Sequence, residues 1–203
     1  MPGRYIYPPR AKRVAKPSQL PDFEAEGLWL AQRKYNGDRC PIQITPSEVY
    51  LWNRHGNRQK YALPPSVRRE LLSLSLPQGE TWLDGELVHP KSPDTFVLFD
   101  VLQLGGEYLH SIPQEKRLEM LHDICRNPTQ IDSLMGFPVS DHVFLAQTWD
   151  ESFVDRYTDH IADDLIEGLV LRQKGSFLGG WGHTEYEVDW MIRCRKPSKK
   201  YRF

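Results

Sequence analysis

Short β-patterned segments, punctuated by turn residues, limit what this chain can fold into. Residues 29–34, 39–44, 49–53, 81–89, 95–104, 143–147, 165–173 and 187–195 alternate polar and apolar side chains, or run apolar, over the length of a strand. Thr45-Pro46-Ser47-Glu48 and Gly105-Gly106 mark turns between them. Three stretches carry helical spacing instead. Val67, Leu71, Leu72 and Leu74 follow Pro65 and stop near Pro77-Gln78-Gly79. Leu118, Met120, Leu121 and Ile124 follow Pro113, and Phe153, Val154, Tyr157 and Ile161 form the apolar side of an acidic helix over 150–163. No repeat or linker interrupts residues 23–196. Many strands with a few intercalated helices predict one α+β domain of antiparallel sheets with flanking helices, and 203 residues suffice for it.

The two ends differ from this body. Residues 1–22 contain Pro2, Pro8, Pro9, Pro17 and Pro21 and read as an extended basic arm, with 197–203 a basic tail. Residues 1–20 carry a charge of +5 and residues 191–203 carry +6, so the 170 residues between them carry −12 within a net charge of −1. Basic ends on an acidic body suit phosphate-rich partners, although solvated tails share that composition. Cys40, Cys125 and Cys194 are odd in number and widely spaced, which fits reduced thiols better than a disulfide frame or a zinc site. No apolar run is long enough to cross a membrane, and Met1-Pro2-Gly3-Arg4 lacks the apolar core of a signal peptide. An intracellular, cytoplasmic monomer is expected.

Five segments are candidates for chemistry. In Gln32-Arg33-Lys34-Tyr35-Asn36-Gly37-Asp38-Arg39 a lysine ends an apolar run and is flanked by arginines. Clustered cations and partial burial disfavour the ammonium form, which suits an amine nucleophile. A strand end followed by an Asn-Gly hairpin turn explains the same residues. Asp84 and Glu86, in Asp84-Gly85-Glu86, share a strand face by the period of two and need donors, a metal or ligand hydroxyls there. Phe99, before the lone acid Asp100, is either core or a platform for a base. Glu167 opens an apolar strand that ends in Arg172, and can hold a divalent cation or make a rim salt bridge. Arg193 and Arg195 project to one side of the closing strand, where they can grip a polyphosphate or protect an exposed edge.

The order and spacing of these segments carry more than any one of them. Lys-x-Asn-Gly-x-Arg, Asp-Gly-Glu, Phe-Asp, Glu-Gly-Leu-Val-Leu and a closing basic strand resemble the adenylation domain of the covalent nucleotidyltransferases, which comprise ATP-dependent DNA ligases, RNA ligases and mRNA capping enzymes. The resemblance runs from about Gln32 to Lys196 and implies an ATP-grasp-like nucleotidyltransferase fold. It implies that Lys34 attacks the α-phosphate of ATP to become lysyl-AMP and that Gln32 reads the adenine edge. Arg39 and Glu86 would bind the ribose hydroxyls, Phe99 would stack on adenine, Glu167 would support Mg²⁺, and Arg193 and Arg195 would hold the phosphates. Arg54, in Asn53-Arg54-His55-Gly56-Asn57, resembles a ligase arginine that meets a phosphate. Lysine's ordinary pKa of about 10.4 leaves little free amine at neutral pH. Arg33, Arg39, Arg193 and a metal would lower it, and the same cations would stabilise the transferring phosphoryl group.

The chain departs from the family in three ways. Asn36 stands where DNA ligases and capping enzymes usually have aspartate, which removes one negative charge beside Lys34. The closing motif is Arg193-Cys194-Arg195 where Lys-x-Lys is usual, with Lys196 as the alternative phosphate ligand if the register slips by one. Few residues follow Lys196, so a single domain over 1–203 without the OB-fold clamp is expected. The basic arm and tail would partly replace that clamp, and deleting residues 1–16 should weaken substrate binding while sparing self-adenylation. Within the superfamily, Arg39, Glu167-Gly168-Leu169-Val170-Leu171 and Phe99-Asp100-Val101-Leu102 resemble DNA ligases most. The implied partner is nicked duplex DNA, with tolerance of an RNA/DNA hybrid because an unclamped site constrains sugar pucker less. A ligase this compact suits a phage. An RNA ligase or capping-type enzyme is the alternative within the superfamily, and a non-catalytic nucleic-acid-binding module the alternative outside it.

Overall fold

A computed structural model describes residues 4–88, 92–126, 133–180 and 182–197. Two sheets face each other. The first has five strands in the order β1-β13-β12-β2-β11: β1 (Arg10–Ala15), β2 (Trp29–Tyr35), β11 (Thr148–Trp149), β12 (Ile166–Gln173) and β13 (Glu187–Arg195). The second has eight. Its main path runs β5 (Val49–Leu51), β4 (Ile42–Ile44), β6 (Thr81–Leu87), β7 (Phe96–Leu104), β10 (Val143–Leu145) and β9 (Phe137–Pro138). In addition, β3 (Asp38–Arg39) pairs with β6, and β8 (Glu107–Tyr108) with β7.

The helices cover the outer faces, because each has one apolar side to bury. Helices α2 (Pro65–Leu72) and α3 (Gln114–Ile124) bring Val67, Leu71, Leu121 and Ile124 to the larger core, which also holds Trp82, Phe96 and Leu98. Helices α1 (Leu20–Ala25) and α4 (Phe153–Thr158) bring Leu20, Phe23, Phe153 and Tyr157 to the five-stranded sheet. Glu24 in α1 fastens this pair: its carboxylate accepts the Ser152 and Phe153 N–H groups at 2.7 and 2.8 Å, at the start of α4. A small third cluster joins the sheets, with Tyr35 and Ile166 from one against Val88, Val97 and Ala146 from the other. All three cysteines are free and buried.

The α+β expectation holds, with four corrections. First, the residues read as an extended arm are built into the fold. β1 pairs in parallel with β13, Ala11 and Ala15 are buried, and Tyr5 packs against Trp52 and Trp82 with ring centroids 5.4 and 5.6 Å apart. Second, the sheets are mixed, since β10 also runs parallel to β7. Third, Asn36-Gly37 closes no hairpin, because β2 and β3 lie in different sheets and the step carries the chain across. Fourth, the acidic helix is α4, shorter than 150–163. The basic tail beyond Pro197 and the end of the 81–89 strand at His89 lie outside the described residues.

Candidate active site

A cavity of about 590 Å³ opens between the sheets. One wall is built by strand alternation: Gln32 and Lys34 on β2, Val170 and Arg172 on β12, and Met191, Arg193 and Arg195 on β13 line it. The ladder sets these side chains in rows. Lys34, Gly168 and Arg195 share one row, then Gln32, Val170 and Arg193, with Arg172 and Met191 further along. The other wall carries Arg39, Glu86 and Phe99, and the loop after β5 adds Asn53, Arg54 and His55.

Lys34 donates to Glu167, whose carboxylate also lies 3.8 Å from Arg195 Nε. A register shift between Ile166 and Gly168 makes Glu167 the extra residue opposite β2, and such a bulge re-aims a side chain. Glycine is required next to it. Gly168 has φ +133°, and a Cβ there would lie 2.0 Å from the Cys194 carbonyl oxygen. The crossing between sheets is equally tight, since a Cβ on Gly37 would lie 2.3 Å from the Leu87 carbonyl oxygen. Asn36 holds the crossing: its N–H donates to Leu165 O at 2.8 Å and its side-chain amide to Asp164 O at 2.9 Å. An aspartate could not donate the second bond.

Across the cavity, Arg39 is gripped bidentately by Asp84, Nε to Oδ1 at 3.1 Å and Nη2 to Oδ2 at 2.5 Å. Its Nη1 donates to the Pro9 carbonyl at 2.8 Å, so the chain just before β1 helps to set this arginine. Burial opposes the Arg39 charge, and Asp84, with smaller help from Glu86 and Tyr5, more than offsets it. Glu86 accepts the Gly37 N–H at 3.2 Å, and burial raises its pKa to about 7 against the pull of Lys34 and Arg39. Phe99 has the guanidinium carbons of Arg172 and Arg39 at 5.4 and 5.9 Å from its ring centre. Gln32 is buried and donates to Thr148 Oγ1 at 3.0 Å.

The structure therefore brings Lys34, Gln32, Arg39, Arg54, Glu86, Phe99, Glu167, Arg193 and Arg195 to one cavity. One expectation changes. Lys196 is not the phosphate ligand suggested for a slipped register. Cys194 is buried between Arg193 and Arg195, and the Lys196 ammonium donates to the carbonyls of Ile161 and Asp163 at 3.1 and 2.8 Å. Arg33 lines the cavity, but its guanidinium is held by groups other than Lys34. Its guanidinium donates to Gln147 Oε1 at 2.6 Å and Ser133 O at 2.9 Å and lies 4.9 Å from the Trp149 ring.

No protein-family model matches the chain. Known proteins do. A curated DNA ligase of Pyrobaculum neutrophilum is 25% identical over 220 residues, covering 93% of this chain and 36% of the relative. The solved structure of mycobacterial DNA ligase D complexed with ATP and MES superimposes with a TM-score of 0.65 at 15% identity, over 94% of this chain and 60% of that one. The fold is that of a DNA ligase nucleotidyltransferase domain. A second solved structure, from work on DNA binding with a minimal scaffold by Lig E DNA ligases, matches this fold with a TM-score of 0.53 at 15% identity, over 94% of this chain and 70% of that one. The chain spans 36% of the length of the curated DNA ligase it matches.

Within this ligase fold, sequence reasoning missed Arg10, Asp84's grip on Arg39, and Arg172. Arg10 lines the cavity from β1, but its parallel partner is 177 positions away in sequence (Arg10 to Glu187) and leaves no local trace. Asp84 carried a usable signal, an acid in an apolar strand, as did Arg172.

Proposed function

We propose that the chain is an ATP-dependent polynucleotide ligase that joins a 5′-phosphate to a 3′-hydroxyl in nicked duplex DNA through lysyl-AMP on Lys34. The observation that carries this reading is the meeting of Lys34 with a carboxylate, an aromatic ring and several arginines in one cavity. ATP enters with its base toward Phe99 and Gln32, its ribose toward Glu86 and Arg39, and its α-phosphate toward Lys34. Lys34 attacks as the free amine, its proton released to water, and its contact with Glu167 positions Nζ. A bond from Nζ to the α-phosphorus forms as the bond to pyrophosphate breaks. Arg193 and Arg195 stabilise the charge on the transferring group.

The same site serves the next two steps. An oxygen of the 5′-phosphate attacks the AMP phosphorus, the Nζ–P bond breaks, and Lys34 regains a proton. The 3′-hydroxyl oxygen then attacks the 5′-phosphorus, loses its proton, and AMP leaves. Among the described residues no cluster of three or more His, Cys, Asp or Glu is set for a metal ion. Mg²⁺ takes one or two protein carboxylates and fills its remaining positions with phosphate oxygens and water. Glu167 would hold it, and the ion would supply charge neutralisation on the phosphates.

The test presents ATP, Mg²⁺ and protein to a nicked DNA duplex, a nicked RNA/DNA hybrid and single-stranded RNA. Sealing of the nicked duplex, with an AMP-capped 5′ end as intermediate, is expected. Sealing of single-stranded RNA alone would give the chain to the RNA ligases. No AMP transfer to any end would overturn the enzyme reading.

A further inference from the structure

One run of positive charge extends past the cavity. Residues 49–69 carry Arg54, Arg58, Lys60, Arg68 and Arg69 and no acid, inside a body that is otherwise acidic. Arg68 donates to Glu48 at 2.5 Å. Arg54, Arg58 and Lys60 are exposed and lie on the loop that leaves β5, the edge strand of the larger sheet.

That loop is closed by its own hydrogen bonds. Asn53 N–H donates to Asn57 O at 2.8 Å, Asn57 N–H donates to Asn53 Oδ1 at 3.1 Å, and Trp52 bridges to Arg58 across the turn. Gly56 has φ +76°, and a Cβ there would lie 3.1 Å from the ring of buried Tyr5, so the loop rests on that ring. The guanidinium carbon of Arg58 lies 3.9 Å from the Tyr50 ring centre and 4.0 Å from that of Trp52. Trp52 is itself fixed, with Nε1 donating to Gln43 Oε1 at 3.1 Å and its ring 5.7 Å from that of Trp82.

Stacking engages the faces of a guanidinium and leaves its five N–H donors at the rim. Among the described residues no carboxylate or other acceptor takes those of Arg58. Cation–π contact at an exposed site is weak, and fixing so long a side chain costs entropy, so the arrangement adds little to folding. What it leaves is a cation held in one place with its donors uncommitted, which suits the planar, bidentate capture of a phosphate.

We propose that this loop is a nucleic-acid interface outside the cavity, in which Arg58 donates to a backbone phosphate of the duplex that flanks the nick. Arg54, on the same turn, lines the cavity, so the interface is continuous with the site where the ends would meet. Contacts of this kind fix a duplex in register without reading its sequence. The inference rests on the duplex-substrate part of the reading above.

Fluorescence anisotropy with a labelled nicked duplex, repeated over a range of salt, tests it beside AMP labelling of Lys34. R58M should weaken duplex binding roughly 10-fold and lower the slope of log affinity against log salt by about 0.9. Its melting temperature and AMP labelling should stay at wild type. Y50L keeps the Arg58 charge and removes one of its rings, so it should lose affinity and keep the slope. R58M with wild-type affinity and slope would overturn the interface and leave the basic loop to an acidic protein partner. Should R58M fail to fold, wild-type affinity in a folded Y50L overturns it. Wild-type protein that binds the duplex but takes up no AMP sinks the ligase reading and leaves this interface standing. AMP-labelled wild type whose duplex affinity survives R58M sinks the interface alone.

Discussion

At Glu86 a carboxylate resists ionising. Burial raises its pKa from 4.5 to about 7, against the pull of Lys34 and Arg39. The folded state therefore binds a proton more tightly than the unfolded chain. Its contribution is fully present below about pH 4.5 and is lost as pH rises toward 7. Urea midpoints of wild type should fall across that window relative to those of Glu86→Gln, which has nothing to titrate there. Parallel pH profiles would contradict the assignment. Gly168 makes the second residue-scale prediction. A side chain there meets both the positive φ and the Cys194 carbonyl, so Gly168→Ala should cost at least about 2 kcal/mol in urea unfolding. Because it also sets the bulge that aims Glu167, AMP labelling of any folded fraction should fall too.

β1 is the element whose status changed most. Proline and basic residues gave residues 1–22 the composition of a solvated arm, and composition carries no information about a parallel partner at the far end of the chain. In the fold, Ala11 and Ala15 are buried, Arg10 lines the cavity, and Pro9 O holds Arg39. Deleting residues 1–16 should therefore lower thermal stability and abolish self-adenylation, the reverse of the expectation for an arm. Retained labelling at the wild-type rate would contradict this role. The other strands of the site were legible because each has the period of two and a turn residue at its end. The Asn36-Gly37 step was harder to read, since the same dipeptide serves a hairpin and a crossing, and only the pairing of β3 with β6 rather than with β2 separates them.

Among the described residues, two sheets meet at a cavity lined by side chains of both charges. The order of five motifs was readable because each carries a residue type the chemistry needs. What they do not show is which side chains the supporting residues hold: Asp84 and Asp100 lie within the motifs and Pro9 and Arg117 outside them, and their partners are 17 to 72 positions away. At the cavity, Arg54 is exposed and donates, among the described residues, to its neighbour His55 Nε2 at 3.0 Å. If it meets a phosphate, Arg54→Ala should weaken binding of nicked duplex and reduce the slope of log affinity against log salt by about 0.9. The central claim is that Lys34 is the covalent centre of this cavity. Mass spectrometry of the protein after incubation with ATP and Mg²⁺ tests it directly. One AMP adduct per chain, mapped to Lys34 and lost in Lys34→Ala, is the predicted result. No adduct, or an adduct on another residue that persists in Lys34→Ala, would contradict it.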